Sequence, residues 1–406
     1  MASVTLSSNI KAFQNYPAVA RKRMLKRPLE SIITVFPSGH GWTKQSAAGT
    51  QADDTTSGNY VTGDRSLKLT TDGAASAVFT RKLSLTALNC TTRNLKIRFK
   101  IDNTSDNLTE LSVYATSDSM SNYSYWTLPT DLVRVANEWY EFVLDWSKVS
   151  GSTGSLNRAA ITGYQIRIKD KNGVVVNMWV DALGSVPITA STGVVSVVFD
   201  DSWESQITEG LRIMSPYGQC GAIYAIPDNI ATSGYATIAQ LKQAQQAGWD
   251  ICWHHQTALN TFTQQELVDI VESQKRWHQD NGFMDGMDDI AYPNGVYSQT
   301  ILDLCKTYFR SGRTTVSGVE HLPPADPYKL KTFLVVNTTT PAAISTAIAD
   351  ALTNKHWLIL TYHKLVTTPT VSTEHAIADF ATEMADAATQ GAVIVPPSRV
   401  LADYLM

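Results

Sequence analysis

The run VVSVVFDDSW, residues 194–203, ends an apolar stretch on two adjacent carboxylates, Asp200 and Asp201, with Trp203 just beyond. Like charges side by side repel, so this pair calls for a counter-charge. A bound divalent cation would supply one, holding one carboxylate as a ligand and leaving the other ionised as a base. The stretch DICWHHQTALN (250–260) adds imidazoles at His254 and His255, and LILTYH places His363 at the end of another apolar run. Imidazole and carboxylate are the ligand types of zinc and similar metals. An activated water, a carboxylate base and a histidine acid are the parts needed to hydrolyse an amide or ester.

Those residues need strand ends to hold them. Residues 191–406 alternate apolar strand-like runs with helical patterns. ATIAQLKQAQQAGW (236–249) is amphipathic and closes on Gly248, while Thr263 and Glu266 form a capping-box pair before QELVDIVESQKRWHQDNG. Such alternation predicts a parallel sheet or an α/β barrel, whose sites lie at the C-terminal ends of the strands. Asp200, Asp201, His254 and His363 all sit at such ends. Residues 36–190 read differently. NLKIRFKID (94–102) alternates Leu95, Ile97, Phe99 and Ile101 with Lys96, Arg98, Lys100 and Asp102, the period of a half-buried strand. ELSVYAT, EWYEFVLDW, GYQIRIKD and VVVNMWVDAL repeat the theme between polar turns, predicting a sandwich or jelly roll. Residues 1–35 form an N-terminal arm with a basic cluster, ARKRMLKRP (20–28). MDGMDD (284–289) lacks the spacing of a calcium loop and reads as a surface turn.

Composition narrows the classes. A net charge of −4 over 406 residues argues against a general nucleic-acid binder, and no apolar run is long enough to span a membrane. The N-terminus lacks the pattern of a secretory signal, so the chain is expected to be made in the cytoplasm and to act there, after trimming, or after lysis. Cys90, Cys220, Cys252 and Cys305 are far apart and read as free, mostly buried thiols. Trp203, just after the carboxylates, is placed to contact a bound substrate. His278, His321, His356 and His375 read as ordinary surface or core histidines.

Over 194–406 the sequence resembles the polysaccharide deacetylases of the NodB-homology, carbohydrate esterase 4 type. VVFDDSW resembles the family's F-D-D-G motif, and AGWDICWHHQTALNTFT resembles the motif that carries its metal-binding histidines. IAYPNG resembles the Y-P-x-G form of the third motif. ADPYKLKTF fits the stretch leading to the next strand, and WLILTYHKL resembles the strand ending in the catalytic histidine. The resemblance implies a distorted (β/α) barrel following an all-β, carbohydrate-binding-like jelly-roll sandwich. It implies Asp200 as catalytic base, His363 as general acid, and Asp201 and His254 as metal ligands. It also implies that the backbone N–H of Asn294 helps hold the oxyanion and that Tyr292 and Pro293 wall the substrate groove. The cofactor would be a divalent metal, zinc first, with cobalt, nickel or manganese as alternatives. The chain also departs from the family. The second metal histidine falls at Ala258, or at Leu259 if counted from His255. The third-motif arginine falls at Ala291, and the glycine after the aspartates is Ser202. His255, Asn260, His375, His321, Cys252 or water are the candidate replacements for the missing ligand. The expected function is metal-dependent removal of acetyl groups from a bacterial polysaccharide such as capsule, O-antigen or exopolysaccharide. The basic arm and β-rich module would suit a bacteriophage tail component, attached to a virion or self-associated through the arm. The alternative is a catalytically impaired deacetylase fold that binds glycan.

Overall fold

The computed structural model describes residues 31–405. The basic cluster of the arm, and with it any attachment role, lies outside the described residues. Ser31–Thr34, counted with the arm from sequence, instead form β1 and pair antiparallel with β12 (Asn177–Pro187). The same sheet holds β3 (Thr50–Asp54), β4 (Ser66–Thr70), β6 (Arg93–Ile101) and β9 (Tyr140–Leu144). A second antiparallel sheet holds β2 (Thr43–Lys44), β5 (Ala77–Lys82), β7 (Leu108–Thr116), β8 (Tyr123–Thr127), β10 (Gly151–Thr153) and β11 (Gly163–Asp170).

Period-two patterning sorts the side chains. Leu95, Ile97 and Phe99 of β6 share one core with Val113 of β7, Trp126 of β8 and Ile166 and Ile168 of β11. Alternation leaves Lys96 and Lys100 of β6 facing water, yet the structure buries both. Each has charge or ring partners that make burial tolerable. Lys96 pairs with Glu141, Arg98 bridges Glu141 and Asp181, and Lys100 lies over the rings of Trp139 and Trp179. The backbone N–H groups of Val61 and Thr62 donate to Asp181 Oδ1, so a loop covers this charged face.

Seven parallel strands then close a barrel in chain order: β13 (Val194–Asp200), β14 (Ala222–Ala225), β15 (Asp250–Trp253), β16 (Asp289–Ala291), β17 (Ser311–Ser317), β18 (Leu330–Leu334) and β19 (Trp357–Tyr362). Their outer faces carry helices α1 (Ile238–Gln246), α2 (Gln264–Asp280), α3 (Gln299–Tyr308), α4 (Pro341–Asn354) and α5 (Ile377–Thr389). Both threonine capping boxes form, Thr237 with Gln240 and Thr263 with Glu266. Every cysteine is a free thiol, and Cys90, Cys252 and Cys305 are buried. No helix among the described residues is long and apolar enough to cross a membrane.

The antiparallel half and the barrel touch along the barrel's side. Arg134 Nη1 donates to Thr315 Oγ1 (2.9 Å) and to the Gly295 carbonyl (3.2 Å), Lys329 Nζ donates to the Trp139 carbonyl (2.9 Å), and Lys148 pairs with Asp350. The MDGMDD turn is not wholly at the surface. Asp289 is fully buried at the start of β16, where Arg310 and the hydroxyl of Ser311 hold it.

At the N-terminal end of the neighbouring strand, Asp250 is buried and its Oδ2 has no hydrogen-bond partner. Burial pushes this carboxyl up to about 7. The folded chain therefore keeps a proton that the unfolded chain releases near pH 4, and Asp250 costs stability as pH rises from 4 to 7. Asp250→Asn is expected to exceed the parent in stability by about 2–4 kcal/mol at pH 8, with the difference fading toward pH 4. Urea unfolding at both pH values measures this, and a pH-independent difference would contradict it.

Candidate active site

The barrel collects its polar chemistry at the C-terminal strand ends. Asp200 is the last residue of β13, and His254 and His363 immediately follow β15 and β19. Alternation should send Asp200 and Asp201 to opposite faces. Instead Asp201 and Ser202 both take left-handed backbone conformations, φ 75° and 68°, which turn the chain sharply at the strand tip. Non-glycine residues pay strain there, and such strain clusters at functional sites. Ser202 offsets some of it: its Oγ accepts the N–H of Ile226 (2.9 Å) and its carbonyl accepts that of Ala236 (2.9 Å). The turn brings Asp201 Oδ1 to 3.6 Å from His254 Nε2, while Asp200 Oδ2 lies 3.9 Å from His363 Nε2. Buried Gln206 ties the two strand ends together, its Nε2 donating to the carbonyls of Asp200 and His363.

A residue that the sequence reading missed completes the group. Arg313, buried in β17, places Nη2 2.6 and 2.7 Å from the two oxygens of Asp200. Arg313 sits in register with Ala291. The guanidinium therefore comes from the strand next to the one on which the family's third motif would carry it. Burial opposes ionisation of Asp200, but Arg313, with His254 and His363, outweighs it and holds the carboxyl below its usual range. Asp200 is thus an ionised, buried carboxylate 6% exposed to solvent.

The Asp201–His254 pair suits a divalent cation. Two ligand atoms 3.6 Å apart can share one ion at bond lengths of about 2.0–2.2 Å. His254 Nδ1 donates to the Ala291 carbonyl (2.9 Å), which leaves Nε2 as the free lone pair. This outer contact is the usual companion of a metal-bound imidazole. Burial disfavours the imidazolium of His254, yet Asp201 and Asp200 outweigh it and raise its pKa. No third protein ligand joins them among the described residues. Ala258 has none to give, and Leu259 is buried. His255 takes the N–H of Thr257 on Nδ1 (3.0 Å) and stacks near Trp253. His375 is paired with Glu383, and Cys252 faces Asp250 and Asp289 at the other end of the barrel.

The substrate-binding candidates divide. Trp203 is half-buried, stacked on Tyr235 at 4.3 Å with Lys364 over its ring, beside the end of β19. Asn294 is exposed at the C-terminal end of β16 with a left-handed backbone (φ 56°), a conformation asparagine tolerates. Tyr292 and Pro293, expected to wall the substrate groove, are both buried. The Tyr292 ring packs among Tyr297 and neighbouring core residues, and its hydroxyl donates to the Tyr328 carbonyl (3.0 Å). Gly295 is required behind them, since a Cβ there would meet Thr315 Oγ1 at 2.1 Å and Arg134 Nη1 at 2.9 Å. The antiparallel half thereby props the loop that presents Asn294.

The Bacillus subtilis (strain 168) protein YxkH, named as a polysaccharide deacetylase, is 30% identical over 128 residues. The chain is similar to polysaccharide deacetylases. The match covers 30% of this chain and 45%, less than half, of that relative. No family model matches. Among solved structures, a polysaccharide deacetylase from Bacillus cereus aligns over 74% of this chain and 99% of its own, at 12% identity and a TM-score of 0.35. A family 4 carbohydrate esterase from Streptomyces lividans, in complex with acetate, aligns over 51% and 93% at 14% identity and a TM-score of 0.36. A family 11 carbohydrate-binding module from Clostridium thermocellum aligns over 39% and 95% at 11% identity and a TM-score of 0.30.

Removing one partner of a buried ion pair leaves an uncompensated charge. Arg313→Met is expected to cost about 3–5 kcal/mol of stability at pH 7 and to raise the Asp200 pKa. The sign follows from the depressed folded pKa: the pair's contribution is present at neutral pH and is lost as pH falls through that value. Urea unfolding and carbon-13 carboxyl titration read the two effects. An unmoved Asp200 titration would sink the assignment.

Proposed function

We propose that this chain is a metal-dependent deacetylase acting on a bacterial polysaccharide. The observation that carries the reading is the convergence of two carboxylate–imidazole pairs at barrel strand ends, with Arg313 fixing one of them. Asp201 and His254 would hold a divalent cation of zinc type, which when bound would supply Lewis acidity. Asp200 is kept ionised by Arg313 and takes the proton of that water. Arg313 and Gln206 restrain the base so that little reorganisation is needed on reaction. The N–H of Asn294 is offered to the developing oxyanion. His363, facing Asp200, delivers a proton to the departing sugar amine or alcohol. Trp203 and Tyr235 present an aromatic wall suited to the apolar face of a pyranose.

The antiparallel half, residues 36–190, is read as a glycan-holding jelly-roll sandwich joined to the barrel of 191–406. Its second sheet carries a polar and aromatic row on the face away from the core. Tyr125, Tyr114, Gln165 and Arg81 stand opposite one another on β8, β7, β11 and β5. The two tyrosine rings stack at 5.0 Å, and Arg81 Nε donates to Gln165 Oε1 (2.6 Å). Flat rings flanked by planar hydrogen-bonding groups fit a sugar chain laid across the strands. The missing third ligand at Ala258 favours one alternative, a fold that keeps its groove and binds glycan without turnover. A role on a phage tail is part of the same proposal.

Asp200→Asn and His363→Ala are each expected to lower acetate release from acetylated polysaccharide by at least ~100-fold. Chelator treatment should have the same effect on the parent, reversed by added zinc or cobalt. The melting temperature of His363→Ala should stay within a few degrees of the parent, while Asp200→Asn, which leaves Arg313 uncompensated, should melt lower and is checked for native folding by near-ultraviolet circular dichroism. Turnover that survives these changes rejects the mechanism, and glycan binding with no acetate release from any protein favours the alternative. For the sheet face, Tyr125→Ala is expected to weaken sedimentation with insoluble polysaccharide by ~10-fold, about 1.4 kcal/mol. Unchanged sedimentation would remove this face from the account.

A further inference from the structure

Three ligand-type side chains from three separate segments meet at the barrel end opposite Asp200. His356 immediately precedes β19 and His363 immediately follows it. The two sites are therefore about one strand apart, roughly 20 Å at ~3.3 Å per residue. Glu320 and Trp357 exchange both backbone hydrogen bonds, at 2.9 and 2.8 Å, in an isolated antiparallel bridge. That register sets His321 opposite His356, and their rings meet edge to face with centroids 5.3 Å apart. Asp145 comes from the antiparallel half, at the start of the turn Trp146–Lys148. Its Oδ1 accepts the Ser147 N–H (2.8 Å), and its carbonyl accepts Trp126 Nε1. Its Oδ2 lies against His356 Nε2 and 3.9 Å from His321 Nε2. The three ligand atoms all fall within 4.8 Å of one another.

Hydrogen bonding does not use up this group. His356 is buried, and its Nδ1 has no partner. His321 makes no hydrogen bond among the described residues beyond its distant approach to Asp145. Burial pushes the His321 imidazole down, toward the neutral form. Burial also opposes ionisation of Asp145, but the hydrogen bond from His356 outweighs it and keeps the carboxyl low. A neutral imidazole and an ionised carboxylate are the states that a cation binds.

We propose that Asp145, His321 and His356 form a second divalent-cation site, of zinc type, that clamps the antiparallel half to the barrel. Two imidazoles and a carboxylate make a three-ligand zinc set with a fourth position open. A cleft lined by His321, Asn94, Lys96 and Pro187 among others lies between the two halves and reaches the site at His321. A cation here would displace the hydrogen bond between His356 Nε2 and Asp145 Oδ2. One ligand belongs to the antiparallel half and two to the barrel, so occupancy ties their association to metal concentration. The site shares no residue with the Asp201–His254 pair and is independent of the proposed hydrolysis.

The test uses the full chain carrying Asp201→Ala and His254→Ala, stripped with chelator, loaded with zinc alone and desalted. Elemental analysis is expected to find one zinc per chain, with the melting temperature raised by ~3–8 °C. Adding His321→Ala should abolish both. If that triple variant does not fold, as judged by near-ultraviolet circular dichroism, Asp145→Asn takes its place. Cobalt loading should give visible absorption of a four- or five-coordinate ion in the double variant and lose it in the triple. No zinc in the double variant, or zinc kept equally in the triple, overturns the proposal.

Discussion

The barrel's chemistry depends on one buried interaction, the guanidinium of Arg313 against the carboxylate of Asp200. A carboxylate 6% exposed at the end of an apolar strand would take up a proton and cease to be a base. Arg313 prevents this from across the barrel, with Nη2 within 2.7 Å of both oxygens. It is itself braced against the ring of Tyr224, 5.0 Å away. The pair therefore adds little net stability over an apolar core, and its value lies in fixing one charge in one place. Everything else at the strand ends is arranged around that charge.

The strain at the tip of β13 follows from the same constraint. Asp200 must end the strand facing Arg313, and Asp201 must turn back toward His254. Two successive left-handed residues accomplish this, stabilised through the hydroxyl and carbonyl of Ser202. On the far side of the barrel opening, Gly295 and Arg134 hold the loop of Asn294 in a comparable way. The antiparallel half thus reaches the site through the scaffold, by a contact to a backbone carbonyl.

Much of this was legible in the sequence, and the exceptions have physical causes. Strand ends were readable because apolar runs stop abruptly at charged residues, as VVSVVF stops at Asp200 and LILTY at His363. The alternation of β6 identified its core face, but it could not reveal that a loop and two tryptophans cover the lysines on the other face. Arg313 escaped because SGRTTVS reads as a polar loop. Its burial makes sense only once Asp200 is known to lie opposite it. The depth of Tyr292 and Pro293 was not legible, because an aromatic residue in a turn looks the same whether it lines a groove or plugs a core. His321 and His356 looked ordinary because 35 residues separate them in the chain, and only the bridge between Glu320 and Trp357 brings them together.

The most direct test of the central claim follows the oxygen atom. The zinc-loaded protein would be incubated in oxygen-18 water with a panel of acetylated bacterial polysaccharides, and the released acetate examined by mass spectrometry. Attack of water on the acetyl carbon, with Asp200 as base, predicts acetate carrying one solvent oxygen. Acetate without solvent oxygen, or none released across the panel, would contradict a water-attacking deacetylase and leave a glycan-binding barrel.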